Sequence, residues 1–115
     1  MNRIEPIKEE LEQTVDQEDL MLIIMDALND TVEPIPEVGK FYTFLYSAKT
    51  PKIVYDQHPL VACMEIYEWG FRGLNFHWQH YKNYTWNEIV GQLYVVEFEE
   101  LDDLLAVPYA KYVTK

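Results

Sequence analysis

The hydrophobic pattern of this chain changes its period once, at the proline-rich segment NDTVEPIPEVGK over residues 29–40. Before this segment, apolar residues recur every three or four positions, which is the period of an amphipathic helix. After it, runs rich in aromatic and β-branched residues predict strands. Pro34 and Pro36 favour extended backbone in the residues before them and interrupt a helix. The sequence therefore predicts three parts: an acidic helical arm over residues 1–30, a linker over 31–38, and a compact β-rich domain with short helices over 39–115.

Two helices are predicted in the arm. In the first, over residues 4–15, the apolar residues fall on one face and the glutamates lie elsewhere. In the second, over residues 18–29, apolar residues cover more than one face, so this helix has to be buried on several sides. Packing against the chain's own domain is the favoured interpretation, and insertion into a partner's groove is the alternative.

The β-rich part is predicted to contain a short series of strands. Strands are expected over residues 40–48, 60–69 and 74–81, with a strand fragment over 50–59 and a turn at GFRG, residues 70–73. The predicted fold class is α+β: a small curled antiparallel sheet, or an open Src-homology-3-like barrel, with an N-terminal helical arm. A layer of helices packed on a sheet is the alternative.

Two further helical segments are predicted near the C-terminus. Thr85 and Glu88 have the spacing of a capping box, which predicts a helix that continues to about residue 93. A last edge strand is expected in YAKYV, residues 109–113. Between them, a short helix is expected to expose Glu99, Glu100, Asp102 and Asp103 and to bury Phe98, Leu101, Leu104 and Leu105.

Cysteine content and hydropathy exclude several classes of protein. The single cysteine, Cys63, cannot form an internal disulfide and is predicted to be a small core residue within the apolar run LVACMEIY. The longest apolar run, LMLIIM over residues 20–25, is too short to span a bilayer, and the N-terminus lacks the apolar run of a signal peptide. A reducing compartment and no contact with a membrane are therefore expected.

Acidic residues dominate the chain and are unevenly distributed. The formal net charge is −11, of which residues 1–38 carry −9 and residues 97–115 carry −3, whereas residues 39–96 carry +1. Proteins that bind nucleic acids concentrate positive charge against the phosphates. The charge pattern therefore argues against nucleic acid as the main partner.

The motifs of common enzymes are missing from the sequence, which has no glycine-rich phosphate loop, no nucleophile elbow and no CxxC pair. The strongest catalytic candidates are the three histidines, His58, His77 and His80. In an extended NFHWQH segment His77 and His80 would point to opposite faces. A metal site would then need His58, His77 and Asp56 together. The prediction is a protein without enzymatic activity, metal or cofactor, with a metal-dependent hydrolase as an alternative.

The stretch YEWGFRGLNFHWQHY, residues 67–81, is densely aromatic. A chain of 115 residues cannot fully bury its seventeen Tyr, Phe and Trp rings, so some are expected at the surface. Because Tyr and Trp rings beside an arginine are typical of protein–protein hot spots, Trp69, Arg72 and Tyr81 are predicted to contact a protein. The alternative is base stacking by an accessory nucleic-acid-binding protein.

Two motifs, YDQHPL at residues 55–60 and GLNFHW at residues 73–78, resemble a group of small proteins from contractile-tailed phages, including phages of marine cyanobacteria. That group shares a YD-x-HPL segment followed by GLN-x-H and an aromatic residue, and the resemblance covers residues 49–78. It implies a viral origin and a compact domain used in virion assembly or host takeover, and it supplies no activity. The shared motif positions are Tyr55, Asp56, His58, Pro59, Gly73, Asn75 and His77.

The residues and the resemblance together predict a phage interaction module without enzymatic activity. It would be a virion or assembly component of the tail, baseplate or neck, or a factor that binds a host protein. The expected partner is a viral or host protein, with a second copy of the chain as an alternative. The expected location is the host cytoplasm, with incorporation into the virion as an alternative. The predicted binding residues are Tyr55, Asp56, His58, Trp69, Arg72, Asn75, His77 and Tyr81.

Overall fold

The computed structural model describes residues 2–47, 53–54, 59–107 and 113–114, with the backbone alone at 17–18, 53–54 and 113–114. The helices are α1 (Lys8–Gln13), α2 (Gln17–Leu28) and α3 (Leu101–Ala106), with single 3₁₀ turns at Glu5–Ile7, Trp86–Glu88 and Phe98–Glu100. The strands are β1 (Val32–Glu33), β2 (Phe41–Tyr46), β3 (Ile53–Val54), β4 (Leu60–Tyr67), β5 (Gly70–Asn75), β6 (His80–Thr85), β7 (Ile89–Val96) and β8 (Val113–Thr114). Within these described residues, every helix is too short or too polar to cross a lipid bilayer.

Six strands form one antiparallel sheet in the order β1-β7-β2-β4-β5-β6, and β3 pairs with β8 separately. This sheet does not close into a barrel, so β1 and β6 are its edges. The prediction of an α+β fold with a small curled antiparallel sheet and an N-terminal helical arm is confirmed. The segment 31–38, predicted as a linker, contains β1, which pairs with β7.

The helices cover one face of the sheet. Leu11 of α1, Ile24 of α2 and Leu104 of α3 are buried in one cluster with Leu60 of β4 and Val96 of β7. Burying side chains of this size contributes roughly 1.5–3 kcal/mol each. The favoured interpretation of α2, that it packs against the chain's own domain, is therefore confirmed, although Leu22 is 62% exposed.

The opposite face curls over a second, aromatic cluster. Phe44 of β2 lies 5.4 Å from Tyr84 of β6 between ring centroids, although two strands separate β2 from β6 in the sheet. Such a contact requires the sheet to bend around the rings. Cys63 is fully buried in this cluster, and burial raises the pKa of its thiol to about 11. Its predicted role as a small core residue is confirmed.

The helix predicted from Thr85 and Glu88 is wrong. Their side chains do hydrogen-bond to each other, but the chain makes only one 3₁₀ turn and enters β7 at Ile89. Glu88 is buried and accepts a hydrogen bond from the Tyr46 hydroxyl at 2.8 Å, which ties this crossover to the end of β2. The sequence IVGQLYVV that follows is rich in β-branched residues, which favour a strand over a helix.

The boundaries predicted between residues 70 and 81 are also wrong. The segment GFRG belongs to β5, and residues 76–79 form the turn where a strand was expected. The Asn75 side-chain oxygen accepts hydrogen bonds from the backbone N–H groups of His77 and Trp78, both at 3.1 Å. Gln79 then adopts a φ of 57°, the left-handed backbone that reverses the chain into β6.

An ion pair joins the beginning of the arm to the C-terminal helical segment. The Arg3 guanidinium donates two hydrogen bonds of 2.9 Å to Glu100, and it also donates to Asp30 at 2.7 Å and to the Val95 carbonyl at 3.0 Å. The Glu100 side chain is fully buried, whereas that of Asp30 is 66% exposed. Glu100 was predicted to face solvent, and this prediction is wrong.

Phe98 was predicted to be buried, and it is 76% exposed. Both errors share one cause. Residues Phe98–Glu100 form a 3₁₀ turn before α3, so their side chains follow a three-residue period and not the period of the helix.

The Arg3–Glu100 pair predicts an acid-dependent stability. Burial raises the pKa of Glu100, but the hydrogen bonds from Arg3 and from the Glu97 backbone outweigh it and hold the pKa below its usual value. Glu100 therefore stabilises the fold fully above the unfolded pKa of about 4.3, and this contribution is lost as the pH falls through the folded pKa. The stability difference between the unchanged protein and Glu100→Gln, measured in urea, should shrink as the pH falls from 7 to 3. A constant difference would contradict this.

Candidate binding surface

A group of exposed rings lies on β4, β6 and the loop that joins β4 to β5. We call Tyr67, Trp69, Arg72 and Tyr81 the ring patch. Tyr67 ends β4, Trp69 lies in the loop that follows, Arg72 is on β5 and Tyr81 is on β6. The three rings are 37%, 43% and 54% exposed, and Arg72 is exposed as well. These side chains therefore reach solvent from three consecutive strands and the loop between the first two.

The rings of Tyr67 and Trp69 are stacked. Their centroids are 5.0 Å apart and their planes differ by 8°. The two-residue loop Glu68–Trp69 brings the two rings together. A hydrogen bond holds this loop in place, because the Trp86 indole N–H donates to the Glu68 carbonyl at 2.8 Å. Gly70 lets the next strand approach, since a Cβ at this position would lie 1.9 Å from the Tyr84 carbonyl oxygen. The stack is thus a fixed feature of the hairpin.

Arg72 extends the ring patch towards β6. Its guanidinium carbon lies 4.8 Å from the centre of the Tyr81 ring, a cation–π distance. In the register of β4 and β5, Arg72 faces Glu65, and the Tyr67 hydroxyl donates a hydrogen bond to Glu65. The Glu65 carboxylate raises the pKa of that hydroxyl. The charged side chains of Arg72 and Glu65 therefore lie between the Tyr81 ring on β6 and the Tyr67 ring on β4.

The ring patch occupies the same face of the sheet as the helices. On β5, Phe71 points into the aromatic cluster, so its neighbour Arg72 points to the other face. Farther along that face, the helices bury Leu60 and Val96. Within the described residues, the patch is an exposed part of this face beside the helical layer.

The sequence segment that carries Trp69, Arg72 and Tyr81 is less acidic than the rest of the chain. Residues 69–87 contain Arg72 and Lys82 and no aspartate or glutamate, which gives this segment a charge of +2 in a protein of net charge −11. Lys82 lies on β6, with its ammonium nitrogen 6.0 Å from the centre of the Tyr84 ring. Because Tyr84 lies in the aromatic cluster, Lys82 points to that face of the sheet, opposite to Arg72 and Tyr81, and on the patch face Arg72 is opposite Glu65.

The structure brings some of the predicted binding residues together. Trp69, Arg72 and Tyr81 are all in the ring patch. Asn75 is fully buried, where it holds the 76–79 turn and donates to the Tyr84 hydroxyl at 3.3 Å. His77 is half-buried in that turn. The predicted loop residues Tyr55, Asp56 and His58 lie outside the described residues.

One member of the ring patch, Tyr67, and its hydrogen-bond partner Glu65 were missed by the sequence interpretation. Tyr67 and Glu65 were assigned to a strand half buried at its far end, yet residues 64–67 of β4 are all exposed. The sequence signal is the change from LVAC to MEIY within one strand. The first half is entirely apolar, whereas the second half contains a glutamate, which indicates exposure to solvent.

Among residues 2–47, 59–107 and the short described strands between and after them, no group of three His, Cys, Asp or Glu side chains is placed to hold a metal ion. Asp56 and His58, which a hydrolase would need, lie outside these residues. The prediction of a protein without enzymatic activity therefore stays a prediction.

Comparisons with protein-family models, with curated proteins and with solved structures gave no significant match.

Proposed function

We propose that this chain is a protein-binding module without enzymatic activity and that the ring patch is its docking surface. The observation that carries the proposal is the stack of the nearly parallel Tyr67 and Trp69 rings, exposed on a hairpin and continued by Arg72 over Tyr81. Tyr, Trp and Arg are the residues that dominate binding energy in protein interfaces. Their clustering on one exposed face matches a small hot spot.

The fixed arrangement of the rings favours binding. A side chain that is ordered before binding loses less conformational entropy when the partner arrives. Trp69 is held by stacking on Tyr67, and its loop is held by the hydrogen bond from Trp86 to Glu68. Binding of a partner would therefore cost little additional conformational entropy in these side chains.

The resemblance to contractile-tailed phage proteins supports a more specific version of the proposal. In this version the module is a tail, baseplate or neck component or a factor that binds a host protein, and it acts in the host cytoplasm or within the virion. Mass spectrometry of purified virions and of complexes isolated from infected cells would separate these roles. Detection in the virion would favour the assembly role.

Truncating Trp69 tests the docking role of the ring patch. Peptides selected by the unchanged protein from a yeast-displayed library should bind Trp69→Ala about 30-fold more weakly, because losing a hot-spot ring costs about 2 kcal/mol. Calorimetry would measure both affinities. The matched control is Phe98→Ala, which removes a 76% exposed ring outside the patch.

Two results would overturn the proposed function. One is that Trp69→Ala and Phe98→Ala bind the selected peptides equally well. The other is that the library yields no binder while a single-stranded oligonucleotide binds with steep salt dependence, which would favour the nucleic-acid alternative.

A further inference from the structure

We infer that the partner adds an acidic, extended segment to the open edge of β6, beside the ring patch. This inference rests on the proposed function and specifies how the partner is held. In strand addition, backbone hydrogen bonds to a sheet edge supply affinity and neighbouring side-chain pockets supply specificity. The outer edge of β6 and the adjacent ring patch provide these two elements.

The backbone groups on the outer edge of β6 follow from the hydrogen-bond pattern. The Trp86 N–H donates to the Trp69 carbonyl at 3.2 Å, which extends the pairing of β5 and β6 by one hydrogen-bonded pair. In an antiparallel ladder these pairs alternate with pairs whose backbone groups point away from the neighbouring strand. The N–H and C=O groups of Tyr81, Asn83 and Thr85 therefore point outwards, away from β5.

This edge suits an added strand. In the part of the chain that the structure describes, β6 pairs only with β5, over six consecutive residue pairs without a register shift. Proline and bulges do not occur within β6, and its one lysine, Lys82, discourages pairing with a basic strand but not with an acidic one. The other edge strand, β1, has two residues and is followed by Pro34.

The charged residues near the outer edge of β6 indicate which kind of partner segment would bind there. Arg72 and Lys82 are the charged residues of β5 and β6, and Glu65 and Glu68 lie on β4 and in its loop, away from the outer edge. Pairing β6 with β6 of a second copy would bring the same cations together, which is unfavourable. An added strand with acidic side chains would instead face Lys82 on one side and the Arg72–Tyr81 pair on the other.

The test uses a defined probe and proline substitution. The probe is a capped octapeptide in which glutamate alternates with valine, compared with the same peptide carrying lysine for glutamate. Nuclear magnetic resonance should show slower amide hydrogen exchange at Tyr81, Asn83 and Thr85 when the glutamate peptide is added. The lysine peptide should give no such protection.

Asn83→Pro removes the outward N–H, whereas Asn83→Ala removes only the side chain. The glutamate peptide should bind the proline variant about tenfold more weakly than the alanine variant, which corresponds to about 1.4 kcal/mol. Thermal melting of both variants checks that they fold. The exchange measurement on the unchanged protein needs no substitution and stands if the proline variant does not fold.

Several outcomes would overturn strand addition. They are no protection at millimolar glutamate peptide, equal protection by the lysine peptide, protection by a single-stranded oligonucleotide, and protection caused by raising the protein concentration alone. If Trp69→Ala weakens the library peptides while Asn83→Pro binds them as tightly as Asn83→Ala, the proposed function stands and strand addition fails. If neither substitution weakens binding, both fail.

Discussion

Replacing Glu100 with alanine should lower the free energy of unfolding by about 3–5 kcal/mol, because it leaves the Arg3 guanidinium without its buried counterion. Glu100 has no exposed side-chain surface, and the Arg3 side chain is only 10% exposed. Arg3 bonds Glu100 through both its side chain and its backbone N–H, the latter at 2.7 Å. Removing the carboxylate therefore breaks contacts that join the arm to the C-terminal segment.

Urea unfolding followed by circular dichroism would measure this loss. The matched control is Asp30→Ala, which removes another carboxylate bonded to the same arginine but from a side chain that is 66% exposed. The control should lose much less stability, because water replaces an exposed partner. Combining Arg3→Met with Glu100→Leu should recover part of the loss, since a buried ion pair can often be replaced by apolar residues. Equal losses for Glu100→Ala and Asp30→Ala would contradict the interpretation.

The helical arm was predictable because its information is local. The three- and four-residue spacing within residues 4–15 and the apolar run of residues 20–25 identified α1 and α2, although the first helix is shorter than predicted and begins with the 3₁₀ turn Glu5–Ile7. Glu100 was not predictable in this way. Its partner Arg3 is 97 residues away, and nothing within a turn of Glu100 shows that a cation will arrive there.

The hairpins were misplaced because their turns lack the usual residues. The loop between β4 and β5 is Glu68–Trp69, without the glycine or asparagine that marks most two-residue turns. Gly70 and Gly73 suggested a turn, but they belong to β5, where neighbouring atoms leave no room for a larger side chain. A Cβ on Gly73 would lie 3.2 Å from both the Phe71 ring and the Val61 side chain. Glycine here indicates close packing between strands, which a single sequence does not distinguish from a turn.

The site was predictable in part. Composition identified Trp69, Arg72 and Tyr81, because large rings exceed what a small core can bury. The sequence did not distinguish these exposed residues from Asn75, which is buried. The polarity of an amide side chain does not show whether it faces solvent or stabilises a turn. That distinction depends on the hairpin register, which places Arg72 and Tyr81 on one face of the sheet.

Removing the Phe44 ring should destabilise the fold by about 3–5 kcal/mol, the range for deleting a buried Phe side chain. Phe44 is fully buried, and its ring makes edge contacts with Phe71 at 5.9 Å and with Tyr84 at 5.4 Å between centroids. These contacts connect β2 to β5 and β6 and so maintain the curvature of the sheet. Phe44→Ala would leave a cavity between these strands.

Phe98→Ala provides the matched control for Phe44→Ala, because it deletes the same side chain from a position that is 76% exposed. Its effect on the free energy of unfolding should stay within about 0.5 kcal/mol, as for most surface substitutions. Urea unfolding of both variants would measure the difference. A loss below about 1 kcal/mol for Phe44→Ala would mean that the curl does not depend on this ring. Because Phe71 and Tyr84 lie directly beneath the strands that carry Arg72 and Tyr81, the ring patch owes its geometry to the same buried contacts.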